Sequence, residues 1–590
     1  MEEKLEVMRH SLAHIMAAAV VRLWPGAKLG VGPAVNDGFY YDFDLGDATI
    51  SEADFKNIEK EMRAIINQKL DFVQSEKTYD EAVKWAKDSG QSYKLELIED
   101  LKAKNEPISF YSTGDFVDLC RGPHVVNTSE IDASAFKILR IAGAYWKGDE
   151  KNPQMQRLYA VAFNDKAELT AHLEMLEEAR KRDHRKLGQE LDLFAFSPLV
   201  GSGLPLFTPR GTILRDKLNE LAQEYRLKNG YQKVWIPHIA NLELFKTSGH
   251  YEKFPEMLKF ISDESGDELA LKPVSCPHHS QIFASVPRSY RELPVKYLET
   301  TTVYRDEKKG ELGGLSRVRA ITQDDSHVFC TYEQVEGVFG ELIESAKDLY
   351  RILDMKLSLR LSFRDDGDGY IGDEKLWQKA QSSIEAMAKK FEMDYEVGLG
   401  EAAMYGPKMD FMATDAIGRK WQLATVQLDY ALPERFGLEY VDKNGDVKRP
   451  AMIHCALLGS IERFLSIYIE HTAGKFPVWC APEQLRIIKV KDDPKIDQFA
   501  AEIVEKMRDT GIRVGLDDSN NSVGKKIRSA EVAKVPYSVA LGEKEVESGK
   551  LSVRVRGDID SGSGEKVYAT NDLVKKIADE ITDRVKTTTL

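Results

Sequence analysis

Two pairs of residues near the start of this chain are spaced for chemistry. In RHSLAHIMAAAVVRLW, His10 and His14 fall four residues apart on what reads as a helix, and in DFVDLCRGPHVV, Cys120 and His124 repeat that spacing. Histidines at i and i+4 share a helix face. With a cysteine and a further histidine they could hold zinc, or hold a water against a general base. Imidazole suits the second task because its pKa lies near neutrality. Read one at a time, His14 and Cys120 are equally a buried helix residue and a buried strand residue.

The rest of the chain bounds these options. At 590 residues it is too long for one core, and about three to four domains are expected. A composition of 42% hydrophobic and 30% charged residues is that of a soluble globular protein. No run of eighteen apolar residues occurs, and Met1 is followed by EEKLEVMRHS, which lacks the basic and apolar regions of a secretory signal. A cytoplasmic protein without a membrane partner is expected. The five cysteines include no CxxC pair, so they form neither a disulfide framework nor a zinc ribbon, and any metal must use ligands distant in sequence. A net charge of −14 argues against broad nucleic-acid binding but leaves room for a local basic face.

Several elements must position this chemistry. Residues 1–165 mix strand-like runs (FYYDFDL, LYAVAF) with amphipathic helices, an α+β pattern. Residues 166–190 read as one long, partly exposed connecting helix with alternating charges. Residues 191–480 change to strands separated by helices. There VKYLETTTVYRDE and SRVRAITQDDSHVFC flank KKGELGGL as an antiparallel hairpin with a basic tip, and AMIHCALLGSIERFLSIYIEH reads as a buried strand running into a helix. Residues 481–590 alternate strand and helix, which predicts a compact α/β domain with a mostly parallel sheet.

The YRDE of the hairpin and the GSIER of the strand–helix unit resemble motifs 2 and 3 of class II aminoacyl-tRNA synthetases. GTILRDKLNELAQEYRLKNGY followed by QKVWIPHI resembles motif 1, a dimer-interface helix and strand ending at Pro237. Taken alone, an Arg–Glu pair on a hairpin is a solvated cross-strand pair. Three motifs in chain order outweigh that reading. The resemblance implies that Arg305 grips the α-phosphate of ATP, Glu307 faces the adenine amino group and Arg463 stacks on the adenine. Activation by in-line attack on phosphorus needs positioning and charge neutralisation by Arg and Mg²⁺, and an arginine fork holds that geometry better than lysine.

Within the class, essentially the whole chain resembles the bacterial-type threonyl-tRNA synthetase family. Cys276 in LKPVSCPHH, His327 in TQDDSHVF and His454 in MIHCALLG fall at that family's catalytic-zinc ligands. A Cys/His/His set leaves tetrahedral zinc one open position, as a working site requires. The resemblance implies one Zn²⁺ per chain, Mg²⁺ with ATP, and L-threonine and tRNA(Thr) as substrates of a homodimer. It places Asp325 on the substrate hydroxyl, Gln323 near its carboxylate and Tyr405 near its amino group. Arg317, Lys408, Gln422 and Gln427 line the ATP and transfer site, and His250 in TSGHYEKF serves as general base for transfer.

Zinc bound to both amine and hydroxyl would reject valine but accept serine, which differs from threonine by one methyl worth about 1–3 kcal/mol. A second, hydrolytic sieve is therefore expected. The opening pairs match the family's editing domain, with His10, His14, Lys94, Asp118, Cys120 and His124 carried over by motif. The family is described as editing without metal, while related alanyl-tRNA editing proteins use zinc. The implied architecture is α+β multidomain: an α+β editing domain (1–165), the connecting helix (166–190), an antiparallel-sheet class II catalytic domain (191–480) and an α/β anticodon-binding domain (481–590). In the last, Lys525, Lys526 and Arg528 give a helix a basic face for tRNA phosphates.

Three departures stand out. The family's ubiquitin-like segment is not expected ahead of the editing pairs. His278 replaces the glycine of the family's CPGH, which is expected to crowd the loop after Cys276. Asn521 stands where an acidic anticodon contact is usual. An RNA-binding regulator without catalysis would have no use for Arg305, Arg463 or the Cys/His/His set, and a free-standing hydrolase none for residues 190–480.

Overall fold

The first helix, α1 (Glu2–Leu23), has no polar face along SLAHIMAAAV. Every residue from 11 to 20 is buried, as a helix apolar all round must be. It packs against β1 (Gly38–Asp44) and α2 (Phe55–Asn67), where Leu12, Ile15 and Met16 share a core with Phe39, Phe43, Ile58 and Leu158. This computed structural model describes residues 2–253, 257, 266–367, 369–557, 566–586 and 590. The chain divides into two compact units, Met1–Glu178 and Ala179–Leu590.

In the first unit, β2 (Phe72–Glu76), α3 (Ser92–Ala103), β3 (Ser109–Thr113) and β4 (Phe116–Leu119) precede β5 (Phe136–Tyr145) and β6 (Gln154–Ala162). Strands β1, β6 and β5 are neighbours in one antiparallel sheet, and β2, β3 and β4 form a second. The expected single connecting helix is instead two: α4 (Lys166–Arg182) and α5 (His184–Glu190). Asp183 breaks the run by capping the second helix, its carboxylate accepting the Arg185 N–H at 2.8 Å.

The largest sheet of the second unit has eight strands. In chain order its elements are α6 (Pro209–Lys228), β7 (Gln232–Lys233), α7 (Cys276–Ala284), β8 (Val295–Tyr304), β9 (Ala320–Cys330), β10 (Lys356–Phe363), β11 (Tyr395–Leu399), β12 (Lys408–Thr414), β13 (Lys420–Asp429), β14 (Ala451–Ser460) and α8 (Ile461–His471). The sheet order is β7-β8-β9-β14-β13-β12-β10-β11, antiparallel except for the two edge pairs. The motif 1 helix α6 is fixed to this sheet by a buried ion pair, Arg226 Nη1 to Asp324 Oδ2 at 2.9 Å. Asp324 also accepts the N–H groups of Leu457, Leu458 and Gly459 where β14 bulges against β9. Gly459 adopts φ +75° there, which a side chain would disfavour.

Beyond the sheet come β15 (Leu485–Lys489), β16 (Val514–Asp517), α9 (Val523–Val532), β17 (Tyr537–Leu541), β18 (Lys550–Val555) and β19 (Lys566–Ala569). The order is β16-β15-β17-β18-β19. The first three strands are parallel as expected, but β18 and β19 are antiparallel. Arg513 donates to the carbonyls of Trp479 and Ala481 at 2.8 and 2.9 Å, so this segment packs into the same unit as the large sheet.

Candidate active site

Strand register gathers the catalytic candidates. On β9, Gln323, Asp325 and His327 alternate onto one face. His327 is paired with His454 on β14, His454 with Gln427 on β13, and Gln427 with Lys408 on β12. Cys276 joins them from the first turn of α7. Its sulfur and one nitrogen each of His327 and His454 lie within 4.8 Å of one another, all three residues buried. A thiol and two imidazoles that close suit zinc or a similarly soft divalent ion.

A cleft of about 620 Å³ opens over them, lined also by His250, Arg305, Gln323, Asp325, Tyr405, Lys408 and Gln427. Burial raises the pKa of the Cys276 thiol well above its ordinary value and lowers that of His327 well below. Burial also raises Asp325, against the pull of His279 and His454. His250 hydrogen-bonds Ser248 Oγ through Nδ1 at 2.8 Å. Burial, then the charges of His454 and Arg305, lower its pKa to about 3, so it is neutral at pH 7. Tyr405 stacks on His454 with centroids 4.6 Å apart and donates its hydroxyl to Gln427 at 2.6 Å. Lys408 pairs with buried Asp410 at 3.3 Å.

Four predicted residues stand outside the cleft lining. Glu307 pairs with Arg317 across the hairpin at 2.6 Å, and Arg317 also meets Glu311 at 2.9 Å. Arg463 lies over the Trp421 ring, 5.7 Å from its centroid, on the first turn of α8, where Ser460 Oγ accepts its N–H. Gln422 accepts from Arg360 at 2.7 Å. His278 belongs to helix α7 and not to a loop. Its ring packs near Phe245, and burial lowers its pKa to about 4. Asn521 is exposed, donating to Ser519 Oγ at 3.1 Å.

Sequence reasoning missed Asp429, whose carboxylate faces His454 Nε2 at 2.8 Å. The signal was available: Asp429 lies two residues beyond Gln427, on the same strand face. It also misplaced Lys526. Lys525 and Arg528 are exposed on α9, but Lys526 is 5% exposed and donates to the Lys489 carbonyl at 3.0 Å. One step along a helix turns a side chain by about 100°, from the solvent face to the sheet.

In the first unit the opening pairs do meet. Cys120 Sγ lies 3.3 Å from His10 Nε2 and 3.2 Å from His124 Nε2. His10 Nδ1 donates to the Pro123 carbonyl at 3.1 Å. Ser11 Oγ gives its proton to the Val7 carbonyl, so it accepts from His124 Nδ1 at 3.2 Å. Two imidazole lone pairs thus converge on one thiol. Burial lowers His10, takes His14 to about 4 and His124 to about 2, and raises Cys120 to about 11. His14 sits edge-on to His124, its Nε2 buried without a partner. Lys94 and Asp118 form a buried pair at 2.8 Å, with the Tyr41 hydroxyl donating to Asp118 at 2.5 Å. Ser11 and Tyr41 carried no sequence signal beyond their position.

Comparison with known proteins finds three family matches along the chain. Residues 258–472 match the tRNA synthetase class II core domain (G, H, P, S and T), 484–580 an anticodon binding domain, and 108–159 the threonyl and alanyl tRNA synthetase second additional domain. The threonine–tRNA ligase of Gloeobacter violaceus is 49% identical over 571 residues, covering 95% of this chain and 90% of that protein. That of Cytophaga hutchinsonii is 46% identical, covering 94% and 86%. The RNA binding domain of threonyl-tRNA synthetase from Cryptosporidium parvum superposes at TM-score 0.63 with 34% identity, over 67% of this chain and 98% of that one. A Giardia lamblia prolyl-tRNA synthetase shares the fold at TM-score 0.54 and 20% identity, over 70% of this chain and 80% of that one. With near-full-length relatives of this similarity, the chain belongs to the threonine–tRNA ligase family of class II aminoacyl-tRNA synthetases.

Proposed function

We propose that the chain activates L-threonine with ATP, transfers it to the 3′ end of tRNA(Thr), and hydrolyses seryl-tRNA(Thr) in its first unit. The observation that carries this reading is the Cys276/His327/His454 cluster on the floor of a cleft that also holds Arg305 and Asp325. The threonine carboxylate attacks the α-phosphorus and pyrophosphate leaves. Arg305 neutralises charge that builds on the phosphate, Glu307 and Arg463 hold the adenine, and Gln422 and Arg317 complete the nucleotide site; Mg²⁺ bound with ATP would supply further charge neutralisation. Glu307 and Arg317 then exchange their mutual ion pair for the nucleotide. Neutral His250 takes the proton of the terminal ribose hydroxyl as that oxygen attacks the threonyl carbonyl and AMP leaves, and Lys408, Gln323, Tyr405 and Gln427 hold the substrate in place.

Cys276, His327 and His454 would hold Zn²⁺, which supplies a Lewis acid for the amine and hydroxyl of threonine. Asp325 accepts from that hydroxyl, so valine leaves a buried acceptor unpaired and is rejected. Serine passes, and the neutral imidazoles around Cys120 activate water against its ester. The lone pairs of His10 and His124 converging on Cys120 favour a second reading of that centre, a metal site. Homodimerisation through α6 is supported by Leu227 in its last turn and Trp235 shortly after β7, 45% and 76% exposed. Lys525 and Arg528 are the tRNA contacts proposed on α9. A cytoplasmic location is part of this proposal; among the described residues no helix is long and apolar enough to cross a membrane.

The test is ATP–pyrophosphate exchange with threonine, serine and valine, together with zinc counted per chain. Exchange with the first two and not valine, at one zinc per chain, is expected. No exchange in zinc-replete protein overturns the ligase reading, and two zincs per chain move the editing centre to the metal reading.

A further inference from the structure

Each proposed histidine ligand is backed on its far side, and behind His327 the backing group is itself a histidine. His279, fully buried on α7, sets Nδ1 2.7 Å from Nδ1 of His327, with ring centroids 4.7 Å apart and planes at 85°. Its Nε2 is buried without a hydrogen-bond partner and stands 3.8 Å from Oε2 of Glu299, an atom in the same condition. Glu299 reaches in from β8, its other oxygen accepting the Ile236 N–H at 2.8 Å. Burial pushes the Glu299 pKa up, but His279, the Ile236 amide and Lys272 outweigh it and hold the carboxyl below its ordinary value.

We propose that Glu299 and His279 are positioning residues for the metal, a buried carboxylate–imidazole–imidazole chain that decides which nitrogen of His327 is free to bind it. The proposal rests on the reading of Cys276, His327 and His454 as zinc ligands. An ionised carboxylate can only accept, so the proton of a neutral His279 ring belongs on Nε2 and its Nδ1 presents a lone pair. That lone pair takes the Nδ1–H of His327 and leaves His327 Nε2 without a proton. Asp429 does the same for His454: it accepts from Nε2 and frees Nδ1. The two freed nitrogens are the pair that face each other at 3.1 Å. Lone pairs held that close favour a cation against them, and the Cys276 sulfur supplies its third ligand. Carboxylates behind ligand imidazoles act in this way in metal sites generally; here an extra imidazole extends the reach.

Glu299→Gln tests the chain because it keeps an oxygen for Ile236 and turns an amide N–H toward His279. That puts the His279 proton on Nδ1, turns round its hydrogen bond with His327 and places a proton on the ligand nitrogen of His327. Zinc affinity of the full-length protein, measured by chelator competition, should fall about 10–100-fold, while the metal-free variant unfolds at an unchanged urea concentration. His279→Phe, which leaves His327 Nδ1 without an acceptor, should show the same loss. His278→Ala, removing a neighbouring ring whose nitrogens have no partner, should bind zinc within twofold of wild type. Wild-type protein that binds no zinc overturns the ligand reading itself. Zinc held as tightly by E299Q and H279F as by wild type overturns the chain alone, as does an equal loss in H278A.

Discussion

Burial sets the charge of the candidate functional side chains, and the proposed editing centre shows how. Removing His14 and His124 from water penalises their protonated forms and takes their pKa values to about 4 and about 2, and His10 moves the same way. A base must be unprotonated to work, so seryl-tRNA hydrolysis should hold constant from pH 8 down to pH 6. An inflection near 6.5 in a pH–rate profile would contradict it. The same shifts link to stability with a definite sign. Unfolded, these histidines take up protons below about 6.5, whereas folded His14 does not until about 4 and His124 not until about 2. The contribution of this pair is therefore complete above pH 6.5 and is lost as pH falls through that window toward the folded values.

At the scale of elements, hydrogen-bonded charges set where helices and strands lie. Arg226 is 1% exposed and joins α6 to Asp324, Ser326 Oγ and the Cys455 carbonyl. Arg226→Leu would leave the Asp324 carboxylate buried without its countercharge, a change that costs about 3–5 kcal/mol. The transition of the second unit, followed by calorimetry on the full chain, should move to lower temperature accordingly. A shift within error of wild type would mean that the three backbone N–H groups on Asp324 suffice. Lys526 shows the same economy of charge: a lysine read as a tRNA contact caps carbonyls inside the last sheet.

At the scale of the molecule, the proposed function assigns synthesis and correction to separate compact units. His124→Ala removes one of the two nitrogens that face Cys120, and His124 is not among the residues lining the second unit's cleft. Seryl-tRNA should then accumulate when serine is supplied, while threonine-dependent exchange stays within twofold of wild type. A parallel loss of exchange would show that the units do not work independently.

The sequence by itself determined most elements. The hairpin around KKGELGGL, the strand running into α8 and the pairs on α1 and after β4 are local patterns, readable because strand alternation and helical spacing are set by neighbours in the chain. Cys276, His327 and His454 were legible as a set only through resemblance, since 51 and 127 positions separate them in sequence. Tertiary structure decided what crosses between strands and around helices. Register put Asp429 behind His454, and packing put His279 between Glu299 and His327. The turn of α9 sent Lys526 inward, and a single cap at Asp183 split the connecting helix. Such choices depend on which surface a side chain meets, and no stretch of neighbouring residues records that.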